Sequence, residues 1–275
     1  MLRSATTILA LLLLSTLTFA QQNKSTHASA ASLQPGTGTC AYTFTTGTGH
    51  GVTKYCVTAN GNIAQFSAMG DSGLPQEMLN GVTAASEGYG VCDTGTLTSY
   101  FDYSSSATTN WSAATAVSSA NSVTITRTTS DGVWKLVQTI TQLPGSRVSY
   151  GAAKVQMALT NLSNQTRIII LLRHANVDAV SSTFNDFDTS ATTSFGTALG
   201  GLGGLMATAS FLTTQFDFHF SLVQTNPDAP DPCTAFGNFG GQQGFFEGDG
   251  SLLHYFNLEI APGNTKSATV TYKPI

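Results

Sequence analysis

The chain has 275 residues, with 11 Lys and Arg against 15 Asp and Glu, a formal net charge of −4. Charged residues make up only 9% of it, against about 25% in an average globular protein. So charge-poor and mildly acidic a surface argues against nucleic acid and anionic membranes as partners, because both select basic patches.

The chain opens with Met1-Leu2-Arg3, runs apolar through Leu9–Leu14, and places Thr18-Phe19-Ala20 before Gln21. A charged start, a short apolar core and a small-residue cleavage site make a signal peptide over residues 1–20. The apolar run is shorter than the ~20 residues that span a bilayer, and no cysteine directly follows it to carry a lipid. Cleavage removes Arg3 and leaves 10 basic residues (11 − 1) against 15 acidic ones, a net charge of −5. The expectation is a secreted or periplasmic protein with no membrane span in its mature form. Residues 21–38 are small and polar and read as a disordered leader. Residues 39–275 read as one domain, since no linker-like composition divides them.

Four cysteines, Cys40, Cys56, Cys92 and Cys233, are an even set in an exported chain, which favours two disulfides. The segment from Cys40 to Cys56 has its turn residues Gly47-Thr48-Gly49 at its midpoint, so a hairpin closed there brings the two cysteines together. Cys92–Cys233 follows by elimination. No Cys-x-x-Cys pair supports a zinc site instead.

In chain order, strand alternation begins near Thr39 and resumes at Val52–Thr58 and, after an Asn60-Gly61 turn, at Ile63–Ser67. Asn-Gly between alternating apolar residues is a strong hairpin cue. Met69–Gly90 reads as irregular, followed by short strands at Gly90–Cys92 and Leu97–Tyr103 and a polar connection from Ser104 to Asn121. Ser122–Thr129 and Val133–Gln142 form a second hairpin about Asp131-Gly132. The organising stretch runs from Val148 to Asp178: two long strands joined by a polar turn at Asn161–Thr166, the second apolar on both faces. Ala179–Ser210 reads as a glycine-rich excursion. In Gln215–Gln224, Phe216, Phe218, Phe220 and Leu222 alternate with Asp217, His219 and Ser221, which predicts a buried aromatic face and a wet polar one. Pro227–Gly250 reads as a loop. The last hairpin joins Leu252–Ile260 to Thr265–Tyr272. About 14 strands and no capped helical periodicity predict an all-β fold, a large antiparallel sandwich.

The segments EGYGVCD (Glu87–Asp93), TRTTSDGVWKLVQTI (Thr126–Ile140) and LTNLSNQTRIIILLRHANVDA (Leu159–Ala179) resemble an uncharacterised group of exported bacterial proteins. The ending LEIAPGNTKSATVTY (Leu258–Tyr272) is similar to the closing hairpin of bacterial β-sandwich modules. The succession of long strands is similar to the large sandwiches of galactose-mutarotase-like and carbohydrate-active proteins. That resemblance is architectural and implies no residue roles.

Several motifs carry candidate chemistry. Gly70-Asp71-Ser72-Gly73 matches the nucleophile motif of chymotrypsin-like proteases, but Leu74 stands where that family has a further glycine. Only His27 and His50 precede Ser72, neither in the family's histidine motif, so the protease reading is rejected. The glycine runs at Gly47–Gly51 and Gly200–Gly204 precede no helix and lack a following Lys-Ser/Thr, which excludes a phosphate loop. Arg173, His174, Asp178, Asp186 and Asp188 are the densest charged cluster. Its carboxylates suit calcium binding through Asp186 and Asp188, or acid–base work on a sugar; the competing reading pairs Arg173 with a carboxylate and leaves the acids in turns. No other cofactor is expected. Glu247, Asp249 and His254 lie near Phe245, Phe246 and Tyr255, a mixture that suits a glycan groove or a core beside a turn. Trp111 is the candidate exposed aromatic, against burial under the sandwich, and His219 reads as solvated.

The leading reading is a non-enzymatic exported protein that binds carbohydrate or other cell-envelope components. One alternative is a carbohydrate-active enzyme, of glycoside hydrolase or lyase type, using Asp178, Asp186, Asp188 or Glu247. A structural assembly protein is the third, and predicts an exposed apolar patch or sheet edge instead of a groove.

Overall fold

The structure, a computed structural model, describes residues 33–35, 38–69, 75–80, 87–108, 110–181, 184–198, 203–211, 217–225, 228–235 and 242–275. All of them belong to one compact unit, Ala31–Ile275. The signal peptide and the Asp71-Ser72 turn lie outside the described residues.

The first strands are β1 (Leu33–Pro35), β2 (Cys40–Thr46), β3 (Thr53–Thr58), β4 (Ile63–Met69) and β5 (Pro75–Asn80). The middle of the chain adds β6 (Glu87–Asp93), β7 (Thr98–Tyr103), β8 (Ser106–Thr108), β9 (Thr115–Ser118), β10 (Ser122–Thr128), β11 (Trp134–Leu143), β12 (Ala152–Asn161) and β13 (Arg167–Asn176). The last third supplies β14 (Asn185–Thr189), β15 (Thr193–Ala198), β16 (Gly204–Phe211), β17 (Phe218–Gln224), β18 (Gln242–Gln243), β19 (Phe245–Gly248), β20 (Ser251–Ile260) and β21 (Thr265–Pro274). They form an eight-stranded sheet in the order β1-β8-β7-β6-β13-β20-β17-β18, and a nine-stranded sheet in the order β19-β14-β15-β16-β21-β12-β11-β10-β9. A third sheet holds β2 to β5 in sequence order. The antiparallel sandwich expected from alternation is the fold.

The Asn60-Gly61 and Asp131-Gly132 turns close the β3–β4 and β10–β11 hairpins. The expected pairing of β12 with β13 is corrected. β12 pairs with β11 and β21 in the nine-stranded sheet, whereas β13 pairs with β6 and β20 in the other. The final hairpin is corrected in the same way, since β20 and β21 also lie in opposite sheets. Both connections are arches that cross the core, stacked so that β12 lies against β21 and β13 against β20. Leu258, Ile260, Val270 and Tyr272 therefore meet through the core rather than along one ladder. Alternation specifies which face is buried but not which sheet a strand joins. Asn161 ties the two arches together: its Nδ2 donates to the Ile260 carbonyl (2.8 Å) and its N–H to that of Asn264 (3.0 Å), while a second Nδ2 bond, to the Gln165 carbonyl (2.7 Å), braces its own arch.

β13 is apolar on both faces because both are covered. Ile169 and Leu171 face the main core. Ile170 and Leu172 face a second cluster with Cys92, Phe101, Tyr103, Leu253 and Tyr255. The segment Asp228–Ala235 straps over this cluster, with Ala229 and Cys233 packed on it. Among the bonds that hold the strap, Tyr103 Oη donates to the Pro230 carbonyl (2.8 Å), Ser99 Oγ donates to Asp231 (2.8 Å), and Cys233 is joined to Cys92. Gly90 lies beneath Pro232, where a Cβ would stand 3.0 Å from its ring. The other disulfide, Cys40–Cys56, closes the β2–β3 hairpin with Cα atoms 5.4 Å apart. A bulge at Cys40/Tyr42 sets Cys56 opposite Thr43 rather than opposite Cys40.

Several stretches read as irregular are strands, among them β5, β8, β9 and the β14–β16 meander. The expected leader contributes β1, which pairs with β8. β17 keeps its alternation but faces the other way: Phe218 and Phe220 are 40% and 43% exposed, while Asp217, Ser221 and Val223 are buried. The polar residues turn inward because partners wait there. Asp217 accepts from Lys266 Nζ (2.6 Å) and the Glu259 N–H (3.1 Å), and His219 meets His254.

Candidate functional site

The residues singled out in the sequence separate into buried and outward-facing groups. Trp111 is buried, with Tyr89 and Tyr100 edge-on to its ring at 5.6 and 6.1 Å and the Arg127 guanidinium 5.4 Å away. It packs the core and offers no face to a ligand. Arg173 is fully buried between the two large sheets. Its guanidinium donates to Glu87 (2.5 Å), to Gln138 Oε1 (2.7 Å) and to the Gly61 carbonyl (3.3 Å), and Tyr272 donates to the same Glu87 carboxylate (2.9 Å). Burial pushes Glu87 up in pKa against the pull of Arg173. A second ion pair, Arg127–Asp102 (2.5 Å), lies beside it, and Asn60 and Asn62 donate to Asp102. Together these groups grip the β3–β4 turn and dock the small sheet onto the sandwich. Arg173 is thus structural, paired with a carboxylate as the competing reading held.

His174 is buried on the outer face of β13, edge-on to Tyr103 at 5.7 Å. His254 is buried in the main core. It bridges the sheets, with Nε2 3.1 Å from Ser194 Oγ of β15 and Nδ1 3.1 Å from His219 Nε2 of β17. The two rings stack at 5.4 Å. Burial pushes His254 down to about 3, with the charge of His219 a smaller cause, and pushes His219 down to about 4. Both rings favour the neutral form, and His219 is half-buried against His254 and Phe256 rather than solvated. Asp178 is half-buried, and burial, with Asp249 nearby, raises its carboxyl to about 6.

The remaining acids share one surface. In β14, Phe187 points inward and stacks on Phe246 of β19 at 4.8 Å. Alternation then turns Asp186 and Asp188 outward. β19 lies alongside with Glu247 opposite Asp186 and Phe245 opposite Asp188. On the other side of β14, Phe195 of β15 stands opposite Asp188. Phe245, Asp188 and Phe195 form a row across three strands, about 9–10 Å from end to end at ordinary strand spacing. Phe245 is 61% exposed. Asp186 and Glu247 make a like-charge cross-strand pair, an arrangement that costs stability. Beyond this row the outer face continues as Thr193, Thr208, Thr271, Lys154 and Thr141 on successive strands. The whole is a broad hydroxyl-rich sheet face with an acidic and aromatic edge.

Sequence reasoning named Asp186, Asp188 and Glu247 but missed Phe195, which lies in the excursion read as irregular. The alternation Thr193-Ser194-Phe195-Gly196-Thr197 was the available signal. Asp178 stands near Asp249, just past the end of β19, and Arg173, His174, Trp111 and His254 are buried. Among the described residues, no group of three or more His, Cys, Asp or Glu side chains could hold a metal ion. Nor is any helix among them long and apolar enough to cross a membrane. The two disulfides fit an oxidising compartment.

No protein-family model matches the chain, and no curated protein matches it in sequence. Solved structures do match its fold. A bacterial glucoamylase complexed with acarbose superposes with a TM-score of 0.55 at 8% identity, over 90% of this chain and 34% of that one. An aldose epimerase homologue from C. elegans superposes with a TM-score of 0.50 at 9% identity, over 85% of this chain and 98% of that one. The chain thus spans about a third of the glucoamylase's length and nearly all of the epimerase homologue's. At these identities the likeness is one of fold alone, a large antiparallel β-sandwich.

Proposed function

We propose that the protein is an exported saccharide-binding module of the cell envelope, which holds a glycan on the outer face of its nine-stranded sheet without converting it. The observation that carries this reading is the Phe245–Asp188–Phe195 row. Aromatic faces stack on the apolar faces of sugar rings, and the carboxylate between them accepts hydrogen bonds from hydroxyls. The Asp186–Glu247 pair supports the same reading, because two like charges set opposite each other cost stability, a cost typical of functional sites. The neighbours' names, a glucoamylase and an aldose epimerase homologue, agree with a saccharide ligand. Asp186 and Glu247 stand close enough for acid–base work on a sugar, but they lie on an open sheet face rather than in a groove that would enclose a scissile bond. Binding through this row needs no calcium.

Isothermal titration of the purified protein with a bound oligosaccharide tests the reading. Phe245→Ala, at an exposed position, should weaken binding about tenfold while leaving thermal unfolding unchanged. EDTA should have no effect. Unchanged affinity in Phe245→Ala and Asp188→Ala, or conversion of the saccharide, would overturn it.

A further inference from the structure

We propose that a cleft at the start of β13, on the other large sheet, is a second and independent binding site that takes a single neutral sugar ring. The cleft lies between the β6–β7 turn and the end of the β12–β13 arch and is lined by Asp93, Thr94, Gly95, Gln165, Thr166 and Arg167, among others. Its volume is about 290 Å³, at the lower end of small-molecule sites, which suits one ring rather than a chain.

The walls are built, not incidental. Thr94 donates from both its N–H (3.1 Å) and its Oγ1 (2.8 Å) to the Ile168 carbonyl, which joins the turn to β13. Leu97, the last residue of that turn, holds φ at +53°, a left-handed conformation that a leucine adopts only under constraint from its surroundings. Asp93 is buried and has both oxygens engaged, Oδ1 by the Gly95 N–H (3.2 Å) and Oδ2 by Arg167 Nη1 (2.5 Å). Arg167 also donates from Nε to Ser163 Oγ (3.0 Å). A guanidinium carries five N–H groups, so three remain for a ligand. The side chains of Gln165 and Thr166 are exposed and make no hydrogen bond with the described residues. Ile168, 48% exposed, adds an apolar patch.

This chemistry selects a class of ligand. The cleft offers donors from Arg167, mixed donor–acceptor groups from Gln165 and Thr166, and one apolar surface. Its fixed charges already balance, because Asp93 neutralises Arg167. A neutral polyhydroxylated ring satisfies that set, while a carboxylated sugar would leave a net negative charge beside a buried aspartate.

Amide NMR titration of the whole protein with methyl glucoside, methyl galactoside and glucuronate separates the outcomes. The proposal expects saturable shifts of the Gly95, Thr96 and Thr166 amides with a neutral glycoside. Gln165→Ala should weaken that binding about five- to tenfold. Arg167→Lys keeps the charge facing Asp93 and loses the fork; it should also weaken binding, while Gln165→Ala, which removes no internal hydrogen bond, leaves thermal unfolding unchanged. Phe245→Ala should leave these shifts intact, so this site and the strip fail or stand separately. No saturable shift at the three amides, binding indifferent to both cleft variants, or a preference for glucuronate would each overturn the proposal.

Discussion

Glu87 and Arg173 show at the scale of single residues how costly chemistry is kept inside this sandwich. Each is almost fully buried, and each is satisfied by groups from more than one sheet. Glu87→Ala would leave the Arg173 charge buried without its counter-ion, which should cost about 3–5 kcal/mol in denaturant unfolding. A loss below 1 kcal/mol would contradict the pairing. Sequence made it legible that Arg173 pairs with a carboxylate, but not with which one, because Glu87 is 86 residues away and only the fold brings it near. The histidine pair yields a pH prediction. His219 and His254 stay neutral in the fold down to about 4 and 3, while unfolded imidazoles take up protons below about 6.5. The unfolded chain therefore binds more protons, and their contribution to stability, complete above about pH 6.5, falls as pH drops toward 4. Asp178, raised to about 6, acts with the opposite sign and returns part of the loss between about 6 and 4. Glu87, Asp102 and Asp249, also raised by burial, act in the same sense as Asp178, so the prediction is a difference: as pH falls from 8 to 4 the melting temperature of His219→Gln should rise relative to that of the native protein. An equal slope in that variant would refute the role given to the pair.

At the scale of elements, the sandwich is held by two stacked arches and a disulfide-pinned strap. Asn161→Ala removes the side-chain donation to Ile260 that joins the arches, and the one to Gln165 within its own arch, and should cost about 1–3 kcal/mol. Cys233→Ser frees the strap and should cost about 2–5 kcal/mol. It should also raise binding of a hydrophobic dye, because Ile170, Leu172 and Tyr255 lie beneath that segment. An unchanged dye signal would mean that the strap does not need its disulfide to stay seated. Hairpins closed by Asn60-Gly61, Asp131-Gly132 and Gly47-Thr48-Gly49 were readable because their turn residues dictate local geometry. The arches were not, since a strand that crosses the core shows the same period of two as one that folds back beside its neighbour. The inversion of β17 has a related cause. Alternation alone favours burying its phenylalanines, and the polar face turns inward only because Lys266 and His254, distant in sequence, supply partners there.

Across the whole molecule, the all-β sandwich followed from strand periodicity and turn spacing, and the exported character expected from residues 1–20 agrees with two disulfides. The candidate surface was only partly readable. Asp186, Asp188 and Glu247 stood out as acids in a charge-poor chain, but their placement beside Phe195 and Phe245 depends on the register of three strands separated by up to about 50 residues. The most direct test of saccharide binding on that face is a broad glycan array probed with the purified mature protein, beside the Phe245→Ala and Asp188→Ala variants. The account predicts saturable binding to a defined set of glycans, reduced about tenfold or more by either variant and unaffected by calcium. A blank array from a well-folded protein, or signals that both variants retain in full, would contradict it.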